Sequence, residues 1–393
     1  MDKIRLGVIG TGSVVREIYQ HLYFRSDYSH ILRIEAAADP NVAALKDFCD
    51  RYQIPENRRF SDYKKMLMQV ALDAVQINTP DSLHRQPTVD ALNAGLDVMV
   101  PKPLADKITD AHAMLSALKK SGRLMGVDFH KREDPRLKEA AARYQQGQYG
   151  SLQTSVWYMI DKLLVADPNH QPRFFASPDF AEKNSPISFL TVHMADALIR
   201  IVNLRPVKVR ATAWSQKLPS LKPLAVKGYD LCDTELTFEN GATSHIITGW
   251  HLPNAAHATT VQSARLICTD GMLDLGLDTP GYHELGSEGI LERNPLFRNF
   301  EADGRVTGYG MSSPGRIYDK FLRASNGQLA NEHRAAMSSP VELGFWTTAV
   351  LEAAELSLQQ GCPSDNGAVA GIEIDLIQLI RKQLGAEADG YLG

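Results

Sequence analysis

Cysteine is scarce: four in 393 residues, at Cys49, Cys232, Cys268 and Cys362, far apart and without a C-x-x-C pair. That excludes a disulfide framework and a cysteine-built zinc site, and leaves buried reduced thiols as the plain reading. No metal site is expected. An excess of one charge is also lacking, since 42 Lys and Arg stand against 46 Asp and Glu for a net charge of -4. The basic residues are scattered, so there is no footprint for nucleic acid or an acidic membrane. No apolar run approaches the ~20 residues of a membrane span. The start, Met-Asp-Lys-Ile-Arg, lacks the apolar core of a signal peptide, and the expected location is cytoplasmic. Internal repeats and low-complexity tracts are missing as well. What remains is an ordinary globular composition, 44% hydrophobic and 22% charged, long enough for about two domains.

The organising stretch is Ile4 to Ile18, Ile-Arg-Leu-Gly-Val-Ile-Gly-Thr-Gly-Ser-Val-Val-Arg-Glu-Ile. Leu6 to Ile9 reads as a strand buried on both faces, and after Gly10 and Gly12 the apolar residues Val14, Ile18 and Leu22 recur at helical spacing. Strand, glycine turn and helix form a cradle in which a pyrophosphate can meet bare backbone N–H groups at Gly10, Thr11, Gly12, Ser13 and Val14. A second strand, Ile34 to Ala38, ends in Asp39, whose carboxylate can take both ribose hydroxyls of an adenosine. The third glycine of G-x-G-x-x-G is replaced by Val15. Asp39 favours NAD over NADP, because a 2′-phosphate would lie beside that carboxylate and neither Pro40 nor Asn41 offers a cation.

Further strands are expected at Ala74–Asn78, Asp97–Val100 and Leu124–Phe129, with helices between them. Such alternation means a doubly wound parallel sheet, whose ligands bind beyond the carboxyl ends of the strands. Those ends carry Gly10, Asp39, Thr79, Pro101 to Pro103 and His130. After Pro135 the pattern changes. A strand over 152–160 and a helix from Pro186 to Val202 precede strands without intervening helices, joined by the hairpin signals Asn240-Gly241 and Asp270-Gly271. Helices are expected again near 316–324, 341–359 and 368–384, while 278–312 resists assignment. The fold class is therefore α/β: a parallel doubly wound domain over 1–130 and an α+β domain over 131–393 with a large open, mostly antiparallel sheet. An open sheet needs its outer face covered, which points to a homodimer or homotetramer.

These residues resemble the Gfo/Idh/MocA oxidoreductase family, most strongly in "VQINTPDSLHRQPTVDALNAGLDVMVPKPLAD" (75–106). The likeness continues in "VDFHKREDP" (127–135), in "HMAD" (193–196), and in the Asn-Gly hairpin followed by Trp250 and the "TDG" turn. The resemblance implies a Rossmann domain, NAD as cofactor, and sugars, cyclitols or their derivatives as substrates. The lysine of the family's Glu-Lys-Pro motif matches Lys102; its glutamate is Pro101 here. An ammonium at that strand end can hydrogen-bond the reacting hydroxyl and stabilise developing negative charge. The family's histidine matches His193, able to take the hydroxyl proton; the catalytic aspartate one turn earlier is Phe189 here. His193 can also be read as a core-edge histidine bonding a carbonyl. Asp196 resembles the aspartate of His-x-x-Asp and is expected to orient its helix.

Thr79, Pro80, His84 and His130 match positions by the cofactor, with a capping role open for His84. Tyr158, Lys162, Arg173, Asn184 and His251 are the candidate substrate contacts. The implied function is an NAD-dependent dehydrogenase acting on a secondary alcohol. A glycosidase using bound NAD for transient oxidation, and a non-enzymatic dinucleotide sensor, are alternatives that share the fold.

Overall fold

The computed structural model describes residues 2–175, 177–278, 282–287 and 289–392. The chain divides into two compact units, Met1–Glu133 with Phe297–Thr348, and Asp134–Leu296 with Ala349–Gly393. The first unit is thus not a contiguous 1–130: a later stretch of chain returns to it.

Its sheet has six parallel strands, β1 (Ile4–Ile9), β2 (Leu32–Ala38), β3 (Arg59–Phe60), β4 (Ala74–Ile77), β5 (Asp97–Pro101) and β6 (Met125–Asp128). They lie in the order β3-β2-β1-β4-β5-β6. Strand order reverses between β1 and β4, so the carboxyl ends of those two strands flank the place where a doubly wound sheet takes its ligand. The strands are buried on both faces, as their unbroken apolar runs require. One face is covered by the returning segment. Helix Tyr309–Ser325 packs Met311, Tyr318 and Phe321 into the core formed by Ile4, Leu6, Val15, Tyr19 and Leu22. Gly126 in β6 admits it closely: a Cβ there would lie 2.4 Å from Ile317 Cγ2.

The second unit holds a nine-stranded mixed sheet. Its strands are β7 (Leu152–Lys162), β8 (Pro206–Trp214), β9 (Leu231–Phe238), β10 (Thr243–Leu252), β11 (Thr260–Cys268) and β12 (Gly271–Gly276), extended by short pieces near the carboxyl terminus. Among the described residues β7 and β10 run parallel to each other and the other pairings of this sheet are antiparallel. Both expected hairpins form, β9 with β10 and β11 with β12. The stretch 278–312 contains a two-stranded hairpin, β13 (Tyr282–Gly286) with β14 (Gly289–Arg293). The helix expected over 368–384 begins only at Leu376, because Ala368–Ala370 and Ile374–Asp375 pair with β8 as strands. Gly371 between them lies so close to the sheet that a Cβ would sit 2.4 Å from the Ala211 carbonyl oxygen. Among the described residues no helix is long and apolar enough to cross a membrane.

Candidate active site

Two sets of residues, one in each unit, carry the candidate chemistry. In the first unit β1 ends in a turn where Gly10 adopts φ +86°, and a Cβ on it would stand 2.7 Å from the Asn78 carbonyl oxygen. No side chain fits there. At Gly12 an added Cβ would meet nothing within 4 Å, so the backbone beside it is open. The helix that follows is π-helical over Val15–Tyr19 before becoming α-helical over Gln20–Phe24. The wider turn begins at Val15, the residue standing in for the third glycine, whose side chain is fully buried.

A buried polar chain supports the turn from below. Gln76 Oε1 accepts from the hydroxyls of Tyr23 and Tyr318, each at 2.7 Å. Its Nε2 donates to Asn78 Oδ1 (2.8 Å), and Asn78 Nδ2 donates to the Gly10 carbonyl (3.1 Å). A glutamine in the middle of the buried strand β4 was a visible signal that the sequence reading passed over.

Asp39 sits at the end of β2 as expected, but its carboxylate already serves the chain. Oδ2 accepts from the Thr11 N–H (2.7 Å) and the Thr11 hydroxyl (3.0 Å), and Oδ1 accepts from the Asn41 N–H (2.7 Å). It fixes the glycine turn and the entry to helix Val42–Arg51 together; its remaining lone pairs are what a ribose would use. Arg59, which opens β3, is held by Asp50 (2.6 Å) and by the Ile54 carbonyl (2.8 Å).

Thr79 follows β4, and its buried hydroxyl has no partner among the described residues. Pro80, next to it, is exposed. His84, expected at the cofactor, is instead fully buried, with Nδ1 3.0 Å from the Pro103 carbonyl and Nε2 3.1 Å from the Thr79 carbonyl. It braces the Thr79 turn against the loop bearing Lys102, so its place is behind the site. Lys102 is half-buried immediately beyond β5, and the Lys102–Pro103 peptide is cis. His130 follows β6, its ring near Phe297 (5.3 Å) and Tyr309 (6.1 Å). Burial, with the positive charges of Lys131 and Lys102, pushes its pKa down to about 3, so the imidazole is neutral at physiological pH. Arg132 has a structural role within this unit: it bonds the Glu342 carbonyl and stacks 4.3 Å over the Phe129 ring.

These features fit a dinucleotide. A turn that only glycine can make, open backbone at Gly12, an unpartnered hydroxyl at Thr79 and an acidic residue ending β2 are what such a ligand needs.

In the second unit Pro186 opens a helix that is π-helical over Ile187–Thr191 and α-helical over Val192–Val202. It lies on one face of the sheet, where Thr191 Oγ1 and Thr248 Oγ1 are 2.9 Å apart. His193 and Asp196 are both buried, so the helix is covered more fully than a histidine at the edge of the core implied. Phe189 belongs to an aromatic group: its ring centroid lies 5.1 Å from Phe180, 5.7 Å from Phe175 and 5.7 Å from Trp250. The Trp250 indole N–H is buried and unpartnered among the described residues. Asn184 closes helix Phe180–Lys183 by donating to the Phe180 carbonyl (2.9 Å), just before Pro186. Arg173 is exposed and donates to the Pro168 carbonyl (3.0 Å).

Strand parity separates the remaining candidates from this group. Thr248 and Trp250 face the helix, so His251 and Ile247 point the other way; Tyr158, paired with Ile247, shares that outer face. Tyr158 and His251 are exposed there, and Lys162 has the parity of Tyr158. The inner parity of β7 instead carries Trp157, Met159 and the buried Asp161, a carboxylate the sequence reading missed although the alternation marked it.

Residues 4–129 match the family described as "Oxidoreductase family, NAD-binding Rossmann fold", the Gfo/Idh/MocA oxidoreductases. That match covers the first third of the chain, the stretch that carries the glycine turn, Asp39 and Lys102. An uncharacterized oxidoreductase of Bacillus subtilis is 26% identical over 245 residues, covering 62% of this chain and 66% of that protein. The D-glucoside 3-dehydrogenase of Escherichia coli is 24% identical, covering 52% of this chain and 56% of the enzyme. This chain therefore spans about two thirds or less of the length of those relatives. In fold it is similar to scyllo-inositol dehydrogenase of Lactobacillus casei, solved with bound NAD(H) and scyllo-inositol. The TM-score is 0.68 at 18% identity, covering 94% of this chain and 99% of that one.

Proposed function

We propose that this chain is an NAD-dependent oxidoreductase that moves hydride between the nicotinamide and a carbon bearing a secondary hydroxyl on a sugar, cyclitol or sugar acid. The observation that carries the reading is Lys102, set at the carboxyl end of β5 within the family-matched segment, behind which His84 ties its loop to Thr79. When bound, the nicotinamide supplies the hydride acceptor or donor. The chain's own groups do the rest. Gly10, Thr11, Gly12, Ser13 and Val14 offer backbone to the pyrophosphate, and Asp39 and Thr79 offer polar atoms to the rest of the dinucleotide. The Lys102 ammonium donates to the reacting oxygen and stabilises its negative charge, and the His193 imidazole takes the hydroxyl proton in oxidation. Asp39, with Arg59 held by Asp50, supports NAD over NADP.

The replacement of the family's aspartate by Phe189 has a constructive reading. Phe175, Phe180 and Phe189, each half-buried, form a surface on which the apolar face of a pyranose or cyclitol ring can stack, with the fully buried Trp250 packed against Phe180 and Phe189. Asp161 is a buried carboxylate on the same sheet face. The exposed outer-face residues Tyr158, Ile267 and Met272 support a homo-oligomer closing over that face.

The test is nicotinamide absorbance during incubation with NAD or NADP and a panel of aldoses, cyclitols, sugar acids and glycosides. Turnover with NAD is expected, falling ~1000-fold in Lys102→Ala while NAD binding persists. Tight NAD binding without reduction across the panel would overturn the dehydrogenase and favour the glycosidase or the sensor.

A further inference from the structure

The second unit contains a cluster that no part of the redox chemistry uses. His257 precedes β11, His283 lies in β13 and Glu292 in β14. Glu292 Oε2 is 2.9 Å from His257 Nε2 and 3.9 Å from His283 Nε2, and one donor atom from each residue falls within 4.8 Å of the others. Backbone geometry holds them there. His283 and Glu292 are directly opposed in the hairpin and so project from the same face, and the Glu292 N–H donates to the His257 carbonyl (3.0 Å). The Glu292 side chain is only 9% exposed, whereas the two imidazoles reach solvent at 50% and 41%. A nearly buried carboxylate is thus aimed at two exposed imidazoles. Arg293, the neighbouring cation, alternates to the other face, where it pairs with Glu284 (3.0 Å).

We propose that His257, His283 and Glu292 bind a borderline divalent cation, Zn2+ foremost. Two imidazole nitrogens and one carboxylate oxygen are the donor set that suits this ion, and three protein ligands leave a fourth position for water or an incoming ligand. A tetrahedral ion at ~2.0–2.1 Å places its donors ~3.3 Å apart, between the two separations seen here, so exposed imidazoles need only small rotations to close on it. The ion would tie the hairpin Tyr282–Arg293, with its exposed Leu285 and Ile290, to the segment leading into β11. This revises the metal-free expectation drawn from cysteine usage. Ligands at positions 257, 283 and 292 have no motif spacing, and two of the three lie in the stretch that could not be assigned from sequence.

The test uses the full chain, treated with chelator and desalted, then titrated with Co2+ as a spectroscopic stand-in and back-titrated with Zn2+. One saturable Co2+ site per chain is expected, with the visible band of a tetrahedral ion and displacement by Zn2+. Affinity should drop at least ~100-fold in the double variant His257→Ala/His283→Ala and in Glu292→Gln. The histidines are exposed, so the double variant should keep native circular dichroism and NAD binding; it decides the matter if Glu292→Gln does not fold. Absence of saturable binding would overturn the site. So would a band that survives in the double variant, which would mean adventitious binding to other histidines.

Discussion

At the glycine turn and at the start of helix Val192–Val202 the backbone does the same thing, widening to a π-helix over Val15–Tyr19 and again over Ile187–Thr191. The surroundings are opposite. Beneath the first lies a polar chain of Tyr318, Gln76, Asn78 and the Gly10 carbonyl, with Asp39 binding the Thr11 N–H from the side. Around the second lie the rings of Phe175, Phe180 and Trp250. On the proposed function, the first would meet a ligand of fixed polar shape, for which hydrogen bonds made in advance hold the backbone ready. The second would meet the substrate, and a packed apolar surface can be altered one side chain at a time.

The sharpest way to break that contrast is at Gly10. Gly10→Ala forces φ +86° on an L side chain and drives a Cβ into the Asn78 carbonyl, so NAD affinity should drop ~100-fold or more, with at least ~2 kcal/mol of stability lost. Calorimetric NAD titration measures the first and urea unfolding the second; an affinity within ~3-fold of native would show that the turn is not the cofactor cradle.

Next comes the pH response of the polar end. Asp128 is buried between the Tyr19 and Ser313 hydroxyls, and burial pushes its pKa up to about 6 despite those two donors. A carboxyl whose folded-state pKa is raised holds its proton longer in the native state. Its stabilising contribution is therefore full below ~4 and is lost as pH rises through ~6, a change of about 3 kcal/mol. His130 acts in the opposite sense, since its depressed pKa gives a contribution present above ~6.5 and lost on acidification. Asp128→Asn should gain on the native protein by up to about 3 kcal/mol between pH ~4 and pH ~7 in urea unfolding. A difference that stays flat with pH would remove Asp128 from the titrating groups.

The aromatic end should answer differently. Phe189→Ala removes a half-buried ring, so about 2 kcal/mol of stability should go, together with a rise in substrate KM at unchanged NAD affinity. Parallel loss of NAD binding would mean that the two regions are not independent.

Much of the nucleotide end was legible because its signals are local. A glycine turn, an acidic strand end and strands alternating with helices each lie within a few residues, and the parallel sheet followed as read. Asp39 was placed correctly but assigned too simply, because nothing in the sequence says that its oxygens are already bound by Thr11 and Asn41. His84 fell behind the site because its partners, the Thr79 and Pro103 carbonyls, are backbone atoms that carry no sequence signature. That Tyr158 and His251 lie on the sheet face opposite helix Val192–Val202 could not be read in advance, for want of a register that the pairing of β7 with β10 supplies. Tyr318 could not be connected with Gln76 at all, since 242 positions separate them.

That last separation bears on how the protein comes into being. Val306 donates its N–H to the Arg25 carbonyl, Ser313 its hydroxyl to Asp128, and Thr348 its hydroxyl to the Ala105 carbonyl. On the ribosome, the first 133 residues emerge long before these partners exist, with one face of their sheet bare and Gln76 still lacking the Tyr318 hydroxyl. The unit that is first in the gene is thus completed only after the whole of Asp134–Leu296 has been synthesised, and cutting the gene after Glu133 would yield an aggregating fragment rather than a free-standing nucleotide-binding domain.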